Sequence, residues 1–265
     1  MKKYLITIFS VFIIASLAAH EFWLQPDKFM IQPKQDVNIN FLVGENFEGE
    51  NWYGTKERVN SLVLITPKST KNIASLFGNT KGDSLKLKIT DEGTAMVLFN
   101  ANNSFISLDA EKFNAYLKED GLQEAIDFRN TNAQNDSAGT ELYQRSVKTI
   151  LQVGKKRTEN ILKQTNLPLD IVPIQNPYTL AGNDSMHIKI FFKQELLKQH
   201  LVKIWHRLND KTTYTEAITD NNGEVAFQNI LMGRWMVSTV KMIHTENEPK
   251  ADWQSYWASC TWGYY

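Results

Sequence analysis

Two segments near the end of the chain decide the fold class: residues 234–243 read RWMVSTVKMI and residues 254–262 read QSYWASCTW. Both are rich in the β-branched and aromatic residues that strands prefer. Segments of the same kind, separated by turn sequences such as Asp220-Asn221-Asn222-Gly223, fill the region 167–265. They predict seven strands, at 169–174, 186–193, 201–208, 212–219, 224–229, 234–243 and 254–262. This number and spacing of strands are typical of an immunoglobulin-like or transthyretin-like β-sandwich.

The region before these strands also begins with β-like segments. Buried strands are predicted at 37–43, 61–65 and 95–99. A further segment, 85–89, alternates apolar and polar residues and leads through the turn sequence Asp91-Glu92-Gly93 into the strand at 95–99. Two strands joined by such a turn are typical of a β-hairpin.

Helical patterns follow these strands. Asp109 is a suitable N-cap for a helix over 110–119, and Gly121 is a suitable residue to end it. Residues 130–139 are rich in Asn, Asp, Thr and Ser, which predicts a loop. Apolar residues recur at helical spacing over 141–152 and predict a second helix there. The predicted fold is therefore mainly β with a helical insert.

The predicted fold has two domains after a targeting segment. Residues 20–166 form an N-terminal α+β domain, and residues 167–265 form the C-terminal β-sandwich. The chain has 265 residues, which is enough for two ordinary domains. Its 29 basic and 29 acidic residues cancel, and this balance argues against a nucleic-acid partner. A single cysteine excludes an internal disulfide and a cysteine-cluster metal site.

Residues 1–19 have the order of a secretory signal peptide: a basic start, an apolar run over 4–17, and Ala18-Ala19 at the end. The alternative is a membrane anchor, but the apolar run is shorter than the roughly 20 residues that span a bilayer. We therefore expect a periplasmic or secreted protein without a stable membrane span after cleavage. Cleavage after Ala19 makes His20 the first residue, and cleavage after Ala18 makes it the second.

His20 is the first candidate metal ligand. A free amine and a neighbouring imidazole can together chelate Ni(II), Co(II) or Cu(II), because nitrogen ligands suit these ions. The alternative is a frayed, solvated terminus. Against it, Phe22, Trp23 and Leu24 follow immediately and should dock this segment on the body of the protein.

His244 and Asp252 are the other candidate ligands. His244 ends the predicted strand at 234–243, and Asp252 precedes the strand at 254–262. In a hairpin, both side chains would lie at one end of the sandwich, where they could share an ion with His20. A surface histidine at the mouth of a loop is the alternative. His206 lies in an apolar stripe, which is more typical of a core histidine, and we leave it out of the site.

Several segments together resemble one known family. They are 19–26 (AHEFWLQP), 111–122 (EKFNAYLKEDGL), 143–154, 176–178 (NPY) and 251–259 (ADWQSYWAS). They resemble the NikM-like family of periplasmic proteins of unknown function, and the similarity covers essentially the whole mature chain. The resemblance implies a periplasmic component of nickel or cobalt uptake.

Three functions are compatible with these observations. The first is a periplasmic protein that binds a divalent transition metal (Ni, Co or Cu) and assists its uptake, with an envelope transporter as a partner. The second is a non-catalytic interaction module of a cell-envelope transport system. The third is a copper enzyme with an amino-terminal histidine site, which requires His20 as residue one and a second histidine facing it. No catalytic residue is assigned.

Overall fold

The computed structural model describes residues 20–182 and 184–265. The predicted signal peptide at 1–19 therefore lies outside the described residues. The described first part of the chain forms these strands: β1 (Glu21–Pro26), β2 (Met30–Ile31), β3 (Asp36–Glu45), β4 (Glu48–Asn51), β5 (Val59–Ile65), β6 (Thr70–Asn72), β7 (Leu85–Lys88), β8 (Gly93–Ala101), β9 (Ser104–Leu108) and, after the helices α1 (Ala110–Glu119) and α2 (Gln123–Thr131), β10 (Gly139–Val153).

The second part of the chain has strands at all seven predicted positions and one short additional strand. They are β11 (Leu169–Pro173), β12 (Ser185–Phe192), β13 (Glu195–Leu196), β14 (Leu201–Leu208), β15 (Lys211–Ile218), β16 (Glu224–Gln228), β17 (Arg234–His244) and β18 (Trp253–Gly263). The predicted fold class, mainly β with a helical insert, is confirmed. No helix in the described ranges is long and apolar enough to cross a membrane.

A central sheet contains strands from both predicted domains. Its order is β15-β14-β17-β18-β10-β8-β5-β6, and β2 and β9 also pair with β10. At its middle, β10 runs parallel to β18, with Glu141 opposite Trp253 and Thr149 opposite Thr261. The predicted division near residue 166 stays a prediction, but one sheet crosses it.

The central sheet is covered on both faces. Along β8, Val97 and Phe99 pack against the N-terminal sheet, in which β3 pairs with β1, β4 and β7. Met96 and Leu98, which point the other way, pack against the C-terminal sheet, in which β12 pairs with β11, β13 and β16. The helices α1 and α2 cover part of the same face as the N-terminal sheet, where they pack on Met242 and other apolar residues of β17 and β18.

The predicted helix over 141–152 is wrong, because these residues form most of the long strand β10. The strand is buried on both faces from Ser146 to Val153. Val147 and Leu151 enter the core under the N-terminal sheet, and Ile150 enters the core under the C-terminal sheet. A strand buried on both faces loses the polar–apolar alternation, so its apolar residues matched a helical spacing by chance.

Two other local predictions have different outcomes. The helix over 110–119 is confirmed, with Asp109 accepting the backbone N–H of Lys112 at 2.9 Å and Gly121 in the left-handed region at φ +62°. The predicted hairpin through Asp91-Glu92-Gly93 is wrong. β7 pairs with β3 in the N-terminal sheet, while β8 pairs with β5 and β10 in the central sheet. The chain therefore passes from one layer to the other at this turn.

Candidate functional site

An open groove of about 1110 Å³ lies between the N-terminal sheet and the start of β10. One wall is the turn between β3 and β4, and the other side is formed by the segment after β4 and by β10. Charged and aromatic side chains line it: His20, Glu45, Glu48, Glu50, Trp52, Tyr53, Arg58, Lys81, Tyr143 and Arg145. The groove therefore has an acidic wall on β3–β4, and its cationic side chains Arg58, Lys81 and Arg145 come from other segments.

Strand β1 fixes the position of His20. Trp23 and Leu24 are fully buried, as the sequence predicted for a docked segment. Beyond its pairing with β3, β1 accepts two hydrogen bonds from β18: Ser259 Oγ donates to the carbonyl of Phe22 and Thr261 Oγ1 donates to that of Leu24, both at 2.7 Å. His20 directly precedes this anchored strand, so its backbone is held at the mouth of the groove.

The turn between β3 and β4 fixes the acidic wall. Asn46 and Phe47 have φ values of 53° and 57°, as in the two-residue turns that suit hairpins. Phe47 is fully buried, with its ring centroid 5.4 Å from that of Trp23. A Cβ atom at Gly49 would lie 2.5 Å from the carbonyl oxygen of Val43, so only glycine fits there. The turn thereby holds Glu45 beside the residue that precedes β1.

His20 and Glu45 form a pair at the groove mouth. His20 Nε2 lies 3.3 Å from Glu45 Oε1, and the two side chains are 41% and 50% exposed. An imidazole nitrogen and a carboxylate oxygen are two metal donors, which is fewer than a closed site requires. No three His, Cys, Asp or Glu side chains within the described ranges are grouped so that they could hold a metal ion. A metal at His20 therefore needs a donor beyond these side chains, such as the terminal amine.

The structure gives His244 and Asp252 different partners. They do flank an antiparallel hairpin, whose loop is closed by the N–H of Thr245 donating to the carbonyl of Asp252 at 2.8 Å. The His244 ring stacks on Phe128, with centroids 4.1 Å apart, and Asp252 Oδ2 accepts a hydrogen bond from Thr140 Oγ1 at 2.7 Å.

The hairpin and His20 do not form the shared three-residue site that the sequence suggested. β1 contacts β18 at Ser259, whereas His244 lies opposite Trp253, six residues earlier and roughly 20 Å away along an extended strand. The absence of a three-donor group in the described ranges agrees with this separation. Of the three candidate ligands, only His20 lies in the groove.

The remaining histidines lie outside the groove. His206 is buried, stacks on Trp235 and lies opposite it in the β14–β17 pair, at the end away from His244, as expected for a core histidine. His187 is paired with Glu224 at 2.7 Å. His200 is half-buried rather than fully exposed; burial lowers its pKa to about 4, and its Nε2 lies 2.8 Å from the carbonyl of Val240. Among the described groove residues, His20 is thus the one histidine, and no second histidine faces it as a copper enzyme would require.

A buried ionic cluster lies behind the groove, and sequence reasoning missed it. We call Glu21, Asp120, Glu141 and Lys203 the interior cluster; all four are less than 8% exposed. Lys203 Nζ contacts Asp120 Oδ1 at 2.5 Å, and Glu141 accepts hydrogen bonds from Ser255 and Tyr116. These residues are far apart in the sequence and share no local pattern, so no sequence signal could have found the cluster.

Burial dominates the ionisation of the interior cluster. Desolvation raises the pKa of Glu21 to about 7, against the attraction of Lys203, and raises that of Glu141 to about 7. Desolvation likewise raises the pKa of Asp120 to about 6. Desolvation alone would lower the pKa of Lys203, but the charges of Asp120 and Glu21 outweigh it and hold this pKa above its ordinary value. The cluster therefore contains more acidic groups than cations and exchanges protons near neutral pH.

Sequence reasoning also missed the cationic side of the groove. The sequence pattern predicts a helix at Tyr143 and Arg145, whereas in the strand β10 they lie two residues apart and so share one face. The guanidinium carbon of Arg145 lies 4.7 Å from the centroid of the Phe22 ring and 5.2 Å from that of Tyr143. Recognition of β10 as a strand would have placed both residues together.

The chain belongs to the DUF4198 family, a domain of unknown function, whose model matches residues 17–242. No curated protein matches the chain. Family membership therefore places this chain with proteins whose function is not known, and it assigns no metal or transport activity.

The similar solved structures have low identity and low structural agreement. Salmonella alpha-2-macroglobulin reacted with methylamine is 9% identical, with a TM-score of 0.22 over 92% of this chain and 15% of the other. A DUF3823 family protein from Bacteroides uniformis is 10% identical, with a TM-score of 0.21 over 91% and 97%. Dimeric latent PorU from Porphyromonas gingivalis is 9% identical, with a TM-score of 0.20 over 95% and 21%. The chain thus spans only a small part of the first and third of these proteins.

Proposed function

We propose that the processed protein binds a divalent transition-metal ion, nickel, cobalt or copper, at His20 and assists its uptake in the cell envelope. The observation that carries the proposal is the pair of His20 and Glu45, held 3.3 Å apart at the mouth of an open groove. The imidazole supplies a nitrogen ligand, the amino-terminal group of the processed chain supplies a second one, and Glu45 supplies an oxygen.

The anchoring of β1 supports this assignment. A free terminus costs conformational entropy when it is ordered around an ion. Here the burial of Trp23 and Leu24 has already ordered the chain up to the residue next to His20. The site is open on the groove side, which suits an ion that is handed to a partner such as an envelope transporter rather than one that is permanently enclosed.

The test is isothermal titration of the exported, processed chain with Ni, Co, Cu and Zn ions, after its intact mass has shown that His20 is residue one or two. We expect about one ion per chain for at least one of the first three metals, loss of binding in His20→Ala, and about tenfold weaker binding in Glu45→Gln.

A matched control is available within the chain. His187 and Glu224 form another partly exposed histidine–carboxylate pair, 2.7 Å apart, without a nearby terminus. His187→Ala should leave metal binding unchanged. Binding that survives in His20→Ala, or that disappears equally in His187→Ala, would contradict the proposal.

A further inference from the structure

Arg145 occupies an unusual position in the groove. Its guanidinium lies close to the rings of Phe22 and Tyr143, so aromatic contacts restrict its orientation. It projects from β10, a rigid strand at the middle of the central sheet. Burial lowers the pKa of Arg145, and the positive charge of Arg58 lowers it further, whereas Tyr143 acts in the opposite direction. Arg145 is thus a pre-oriented cation with a like charge as its neighbour.

Neither arginine is neutralised within the described part of the chain. No carboxylate oxygen there lies within 4 Å of the Arg145 or the Arg58 guanidinium, and Arg58 Nη1 donates instead to Ser104 Oγ at 2.5 Å. Two carboxylates of the acidic wall have other partners: Glu45 faces His20, and Glu48 pairs with Arg207. A half-buried guanidinium is costly without an anionic partner, and a fixed guanidinium is well suited to bidentate contacts with a carboxylate.

We propose that the groove binds a small organic di- or tricarboxylate, with its carboxylate groups on Arg145 and Arg58. Lys81 lines the same groove and offers a further cation to a second carboxylate. The acidic wall of β3–β4 repels the anion and so directs it to the cationic side. The groove, of about 1110 Å³, is large enough for an organic molecule. This site uses other residues than His20 and does not rest on the metal proposal.

The experiment is isothermal titration of metal-free processed protein, desalted into chelator-free buffer, with citrate, succinate and inorganic phosphate. We expect citrate or succinate to bind, with phosphate at least about tenfold weaker because it offers one anionic group where these ligands offer two or three. The protein in this titration holds no metal, so its outcome does not depend on metal binding at His20. Either proposal can therefore fail without the other.

Two variants and a matched control test the assigned residues. Arg145→Gln should weaken citrate binding at least about tenfold, because a charge-assisted pair is lost. Lys193→Gln is the control: its Nζ atom also lies near a phenylalanine and a tyrosine ring, 5.2 Å from the centroid of Phe192 and 5.5 Å from that of Tyr256, but it does not line the groove, so the citrate affinity should stay unchanged. If Arg145→Gln does not fold, Arg58→Gln replaces it in the test, because Arg58 is exposed. This variant should also weaken citrate binding.

Three results would overturn the proposal. They are the absence of citrate and succinate binding at roughly millimolar concentration, phosphate binding as tight as citrate binding, and an unchanged citrate affinity in a folded Arg145→Gln or Arg58→Gln variant.

Discussion

His20 and Glu21 are consecutive residues, yet they belong to two charged regions that differ in solvent exposure. His20 lies in the open groove, where its partner Glu45 is half-exposed. Glu21 lies in the interior cluster, where desolvation raises its pKa to about 7. Successive side chains of an extended segment point to opposite sides, which is how one segment serves both regions. The comparison shows that solvent access, more than the identity of the charged groups, determines how much their pairing contributes to the free energy of folding.

In the groove, water screens the charges, so an exposed pair such as His20–Glu45 contributes little to folding. In the interior cluster, each charge has lost its hydration and depends on its neighbours. Lys203 is the cation that faces both Glu21 and Asp120, and one oxygen of Asp120 has no hydrogen-bond partner there. The cluster is therefore sensitive both to the loss of its lysine and to pH.

The largest effect is expected when Lys203 is replaced. Lys203→Met leaves the buried carboxylates of Asp120 and Glu21 without their cation, so the free energy of unfolding should fall by about 3–5 kcal/mol at pH 8. Urea denaturation measures this change. The loss should be smaller at pH 5, because Asp120 and Glu21, with pKa values of about 6 and about 7, are then largely protonated.

An exposed lysine gives the control for this variant. Lys88 pairs with Asp36 at 3.3 Å, and both side chains are well exposed. Lys88→Met should cost less than about 1 kcal/mol at either pH. Equal losses for the two variants would show that burial does not distinguish the two kinds of pair.

For Glu21→Gln we expect a smaller change in the free energy of unfolding, and an increase rather than a decrease. Because the folded-state pKa of Glu21 is raised from 4.5 to about 7, the folded state binds more protons than the unfolded state between these pH values. The contribution of Glu21 to stability is therefore present below pH 4.5 and is lost as the pH rises through about 7. Gln keeps the shape without the charge, so the variant should be about 1–3 kcal/mol more stable than the wild type at pH 8 and nearly equal to it at pH 4.

Urea denaturation at both pH values measures this difference, and Glu45→Gln in the groove is the comparison. Because the Glu45 carboxylate is half-exposed, its replacement should change the free energy of unfolding by less than about 0.5 kcal/mol at either pH. A stability gain for Glu21→Gln that is the same at pH 4 and pH 8 would show that its ionisation is not the cause.

The sequence predicts the C-terminal strands well and the central strand poorly, for one physical reason. β12 alternates buried and more exposed residues, so its period of two is visible in the sequence. β10 is buried on both faces beyond Ser146 and has no such period. The pairing of β10 with β18 depends on contacts more than 100 residues apart, which no local pattern encodes.

For the candidate site too, the sequence predicts the local features but not those that depend on tertiary packing. The sequence identifies His20 as a candidate ligand. It also predicts that Trp23 and Leu24 anchor this segment, because these apolar residues follow His20 closely. It could not predict Glu45 as the partner, because that depends on the pairing of β1 with β3. It suggested His244 and Asp252 because hairpin formation is a local property, but the distance from His20 to the hairpin is set by the tertiary packing of β1 on β18.

The effect on stability expected for Arg145 in the groove is smaller than those of Lys203→Met and Glu21→Gln. Arg145→Gln removes contacts with the rings of Phe22 and Tyr143, which costs about 0.5–1 kcal/mol, and also removes the cost of holding two cations near one another. The two changes oppose each other, so urea denaturation should show a net change within about 1 kcal/mol, far below that of Lys203→Met. A loss of several kcal/mol would instead make Arg145 a structural cation like Lys203. A near-neutral result would leave ligand binding as the reason for an arginine at this position, because the fold would then gain little from its charge.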